Sequence, residues 1–85
     1  MQVREDAFVL LYQTGAVRSV TIELGDNGAT IAFATNDGSG GVVFTKRGAP
    51  KRYRLDTAAR LLRGLGIASV ALDMRHWHPE QPQLV

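Results

Sequence analysis

The sequence predicts an α+β domain, a mostly antiparallel sheet of five to six strands with one short helix packed on one face. Three observations predict it. Residues 17–24 alternate apolar and polar side chains with a period of two, a Gly-Asp-Asn-Gly cluster separates them from a second such run, and residues 58–65 change to a period of 3.6. A chain of 85 residues builds one core and leaves no material for a second, so residues 1–78 are expected to form a single domain and residues 79–85, with Pro79 and Pro82, a flexible tail.

Taken in order, Ala7 to Gln13 is apolar and rich in β-formers and reads as a first, largely buried strand. Val17 to Leu24 places Val20, Ile22 and Leu24 on one side and Ser19, Thr21 and Glu23 on the other, a half-buried strand. Gly25-Asp26-Asn27-Gly28 tolerates positive φ and turns the chain into Ala29 to Thr35, where Ile31 and Phe33 share a face. After the loop Asn36 to Gly41, Val42 to Lys46 is read as a fourth strand with Val42 and Phe44 facing one way. Arg47-Gly48-Ala49-Pro50 reverses the chain into Lys51 to Leu55, a fifth strand with Tyr53 and Leu55 inward and Arg52 and Arg54 outward. Asp56 is placed to cap a helix whose apolar stripe is Ala58, Leu61, Leu62 and Leu65 and whose wet side carries Arg60 and Arg63. Gly64 or Gly66 ends it, and Ile67 to Met74 alternates as a last strand.

Charge is unevenly distributed. Residues 1–45 hold two basic against five acidic residues, a net of −3, whereas residues 46–85 hold eight against three, a net of +5. Seven of the ten basic residues fall between Lys46 and Arg63, where Asp56 is the only acid. Such asymmetry points to a polyanion, because Lys and Arg neutralise phosphates and release their counterions. Lys46, Arg47, Lys51, Arg52, Arg54, Arg60 and Arg63 are therefore the candidate nucleic-acid contacts. Two other roles suit the same residues: solubility with protection of a sheet edge, and docking on an acidic protein. Tyr53, interleaved with arginines, could stack a base, but its alternation with them places it in the core.

Other chemistry finds little support in the residues. Absence of cysteine removes disulfides, thiolate clusters and a cysteine nucleophile, and suits a reducing cytoplasm. His76-Trp77-His78 has a His-x-His spacing but no further His to complete a zinc shell, so no metal and no cofactor are expected; Trp77 is assigned to packing or a subunit contact. Asn36 to Gly41 lacks the Gly-Lys-Ser/Thr of a phosphate loop, and Ser19, Ser39 and Ser69 lie outside any nucleophile elbow. No catalytic residue is named, and an enzyme is the least favoured class. The polar start Met1 to Asp6 and the longest apolar run of six residues predict neither a secretion signal nor a membrane span.

Residues 45–66, with the Thr-Lys-Arg-Gly entry, the basic Lys51-Arg52-Tyr53-Arg54, Leu-Asp-Thr-Ala-Ala and a leucine helix ending Leu65-Gly66, resemble small plasmid-borne ParC-type partition-associated proteins. The resemblance implies a bacterial cytoplasmic protein of plasmid or mobile-element DNA maintenance, working with other partition proteins, and supplies no catalytic residues. The order of strands and helix is also similar in outline to small dimeric single-strand-binding folds. The expectation is thus a non-enzymatic nucleic-acid-binding accessory, DNA favoured, acting as a homodimer; the alternative is a protein-interaction adaptor using its basic hairpin or an exposed strand edge.

Overall fold

The computed structural model describes residues 1–79. The element order is β1 (Gln2–Arg4), α1 (Glu5–Gln13), β2 (Val17–Gly25), β3 (Gly28–Thr35), β4 (Gly40–Phe44), α2 (Leu55–Gly64) and β5 (Ala71–His76). One five-stranded sheet runs β1-β4-β3-β2-β5. β3 pairs antiparallel with β2 and with β4, while β1 pairs parallel with β4 and β5 parallel with β2. The α+β class and the antiparallel centre are as expected; the two parallel edges, β1 leading into crossover helix α1 and β5 fed by crossover helix α2, are not.

The largest correction lies in residues 7–13, which are helix and not strand. A run of six apolar residues carries no period of its own, so length and flanking residues have to decide. Glu5 and Asp6 occupy the first turn, where the helix dipole favours acids, and Gly15 at φ 84 follows the end. Phe8 and Leu11 then lie one turn apart toward the core, while Leu10 is left 62% exposed.

Other expectations hold with shifted limits. The Gly25–Gly28 hairpin forms, with positive φ at Gly28 alone. α2 buries Ala58 and Leu62, with Leu61 and Leu65 partly buried behind them, and leaves Arg60 and Arg63 exposed. Its N-cap is Arg54, without a side-chain hydrogen bond, so Asp56 is a first-turn acid and not the cap. Gly66 at φ 94 ends the helix, with Ile67 N–H returning to the Leu62 carbonyl. The last strand begins at Ala71 and not at Ile67. The tail expected over 79–85 lies outside the described residues from 80 onward. Neither helix is long and apolar enough to cross a membrane.

Both crossovers, β1-α1-β2 and β4-α2-β5, move the chain three positions in one direction across the sheet. Because such connections are right-handed, both helices belong on the same face. Phe8 of α1 and Ala58 and Leu62 of α2 meet Ile22, Ala29, Ile31, Phe33 and Val43 in one core there. The other face carries no helix among the described residues.

Gly41 faces the core side of β4 opposite Phe33, and a Cβ built on it would stand 2.6 Å from the Phe33 ring and 2.8 Å from the Met1 carbonyl oxygen. The β1–β4 pairing needs that closeness. Gly41→Ala is expected to destabilise the fold by about 1–3 kcal/mol through overpacking, read as a lower urea midpoint at unchanged m-value.

Candidate nucleic-acid interface

β4 and β3 separate toward the end where β1, β2, β4 and β5 finish. Their ladder covers only Ala32–Ala34 against Gly40–Val42. Beyond it, Thr45 N–H binds the Ala49 carbonyl and Lys51 N–H binds the Val43 carbonyl, so the chain folds back along β4. β1 already occupies the far side of β4 as far as Phe44, so residues 50–53 enter the gap. They meet β3 through Tyr53 N–H to Ala29 O at 2.7 Å and Ala29 N–H to Tyr53 O at 2.8 Å. The expected strand over 51–55 does not form: the segment makes two isolated bridges, Phe44 to Pro50 and Ala29 to Tyr53, and Leu55, expected inward on that strand, instead opens α2 and is 42% exposed. Pro50 lacks the donor that would continue a ladder there, and the segment crosses between strands instead of running along one.

This connecting segment sorts the predicted cations. Tyr53 is buried, as its alternation implied, and its hydroxyl donates to Glu5 Oε1 at 2.6 Å. Lys51, on the same side, donates to the same oxygen at 3.0 Å, with its ammonium 5.3 Å from the Tyr53 ring centre. Hydrogen bonds from Tyr53 and then Lys51 hold the Glu5 carboxyl below its ordinary pKa, while burial and then Glu5 push the Tyr53 hydroxyl up. Lys51 thus ties the segment to the start of α1. Arg54 has a loose contact with Asp56 at 3.6 Å. Lys46 and Arg47 project from the turn and Arg52 from the opposite side to Tyr53; all three are exposed and pair with no carboxylate among the described residues. Arg60 and Arg63 lie one turn apart on α2, about 8 and 12 Å along its axis from Leu55, apart from the Lys46–Arg52 group.

Two residues that sequence reasoning passed over join this group. Parallel pairing sets Arg4 beside Phe44, both on the side away from the helices. Arg4, Phe44, Lys46 and Lys51 line an open cleft of about 550 Å³ together with Glu5, Asp6 and Thr45. Glu5 is already engaged, and Asp6 accepts from the Ala7 N–H at 2.8 Å. Arg52 lines a second cleft of about 220 Å³ with Glu23, Thr30, Val42, Pro50 and His76. The signal for Arg4 was the Val3-Arg4 alternation of a strand too short to stand out.

The His76-Trp77-His78 segment turns elsewhere. His78 N–H and Nδ1 lie 2.7 and 3.0 Å from the Asp26 carboxylate, which joins the end of the described chain to the β2–β3 turn. Asp73 binds the Arg75 guanidinium at 2.7 Å and its backbone N–H at 3.0 Å, which holds the Asp73 carboxyl down to about 2.

Comparison with family models, with curated proteins and with solved structures finds no match for this chain.

The Glu5 node carries a pH dependence. Because its folded pKa is lowered from 4.5, its contribution is present above about pH 4.5 and is lost as pH falls through the folded value. Tyr53→Phe keeps the ring and removes the hydroxyl; with Glu5 partly solvated, the expected loss is about 1 kcal/mol at pH 7. Thermal melts should show that difference shrinking toward pH 3. A constant difference across that range would mean the bond does not depend on the carboxylate charge.

Proposed function

We propose that this protein binds nucleic acid through the cationic end of its sheet, as a non-enzymatic accessory protein. The observation that carries the reading is the gathering of Arg4, Lys46, Arg47 and Arg52 around one end of the fold with no carboxylate partner among the described residues. Unpaired, solvated guanidinium and ammonium groups keep their donors for phosphate oxygens, and Arg forks match them bidentately. Where a cation serves the fold instead, as Lys51 and Arg75 do, it is turned onto an acid. The likeness of residues 45–66 to plasmid partition-associated proteins favours DNA and makes a role in plasmid maintenance, beside other partition proteins, the first to examine. Exposed Leu72, Met74 and Trp77 on and just after the edge strand β5 favour a second copy of the chain at that edge.

Four phosphate contacts give a slope of about −0.7 per contact on single strands, so affinity is expected to fall roughly 50-fold between about 50 and 200 mM salt. Fluorescence anisotropy with a labelled oligonucleotide reads this directly. Lys46→Ala/Arg47→Ala should flatten the slope by about 1.4, and Arg60→Ala/Arg63→Ala should change it less. If an acidic protein is the true partner, binding to the oligonucleotide will be undetectable even at the lower salt.

A further inference from the structure

Resting on the nucleic-acid reading just given, we infer that the ligand is single-stranded and that it lies on the open face of the sheet, with one base stacked on Phe44. Phe44 is on β4 with its side chain on the face opposite the helices, since Val43 between Val42 and Phe44 is fully buried in the core. It is the one aromatic residue on that face among the described strands, and it is half-buried and lines the cleft. Arg4 stands beside it in register on β1, and Lys46 follows two residues on in the same cleft. An aromatic plane between two phosphate-seeking groups is the arrangement that holds a base and its backbone together without reading its edge.

The rest of the face suits the same ligand. Registered side by side, Gln2, Val42, Ala32, Thr21 and Ala71 form a row of small or slender side chains across all five strands. Five strands about 4.8 Å apart make a surface about 19 Å wide, broader than the major groove of about 12 Å, which admits a helix or a two-stranded ribbon. A duplex therefore offers this face only its phosphates, whereas unstacked bases can lie flat on it.

Charge complementarity selects which half of the face is used. Its acids, Glu23 and Asp73, are opposite each other on β2 and β5. Arg4 and Lys46 line the Phe44 cleft at the β1–β4 side, whereas Arg52, on the connecting segment, shares its cleft with Glu23. A polyanion is drawn to the β1–β4 half, where Phe44 lies.

The test compares the wild-type chain with Phe44→Leu and Phe44→Tyr against a labelled single-stranded 20-mer and the same sequence as duplex, at about 50 mM salt. The leucine keeps apolar bulk for the fold and removes the π-face; the tyrosine keeps the π-face. Circular dichroism melts establish that each variant is folded, and Phe44→Ala is a second probe if the leucine variant is not. Single strand is expected to bind more tightly than duplex, Phe44→Leu to weaken it roughly 5- to 100-fold at unchanged salt slope, and Phe44→Tyr to restore it. Equal affinity of wild type and Phe44→Leu for single strand, or tighter binding of duplex, overturns the inference and leaves the electrostatic reading standing. Absence of binding to both probes overturns the two together.

Discussion

The reciprocal backbone pair between Ala29 and Tyr53 stitches the connecting segment into the gap between β3 and β4, and much of the molecule follows from that seam. Without it, the gap would leave β3 and β4 backbone groups without partners next to the core, a cost comparable with losing the hydrogen bonds outright. With it, Tyr53 is driven inward to reach Glu5, Lys51 is brought to the same carboxylate, and the start of α1 is tied to the segment that launches α2. Alternation then sends Arg52 outward. One seam therefore sets both the closure of the core and the presentation of the cations.

Packing both helices on one side has a second consequence. Two crossovers running in the same direction cover one face and leave the other to solvent, so the chain has an apolar face and a platform instead of two covered faces. On the covered side the tight contacts are steric: Phe8 and Phe33 rings sit 5.3 Å apart at 48°, and Gly41 has no room for a Cβ. On the open side the decisive quantities are electrostatic, because the groups there remain in water and pair or fail to pair according to where the strands place them. Glu23 and Asp73 fall on one half and Arg4 and Lys46 near the other, while Arg52 shares a cleft with Glu23. The face is polarised by topology, since no single strand carries that separation in its own sequence.

Edge protection and ligand binding draw on the same basic residues, and their placement separates the two roles. A strand edge is guarded by charges along it. At β5 the guard is internal, with Asp73 occupying the Arg75 N–H and guanidinium together. Lys46, Arg47 and Arg52 lie instead on a turn and an inserted segment flanked by clefts. Cations at such a place have little edge to guard and a concave surface beside them, which is why the binding reading is preferred to the bland one.

By itself the sequence determined the α+β class, the β2–β3 hairpin, the amphipathic helix behind Asp56, the inward side of Tyr53 and the segment holding most of the basic charge, because each is written in a local period or turn chemistry. The tertiary structure decided what has no local period. The apolar run after Asp6 became helix because only a crossover could carry the chain from β1 to β2 three positions away. Gln2–Arg4 became a strand because β4 offered it an edge, and that long-range pairing alone set Arg4 beside Phe44. Of the seven cations read from composition, the fold turned Lys51 onto Glu5 and set Arg60 and Arg63 apart on α2. Composition counts charges; only the pairing of distant segments settles which of them remain free to meet a ligand.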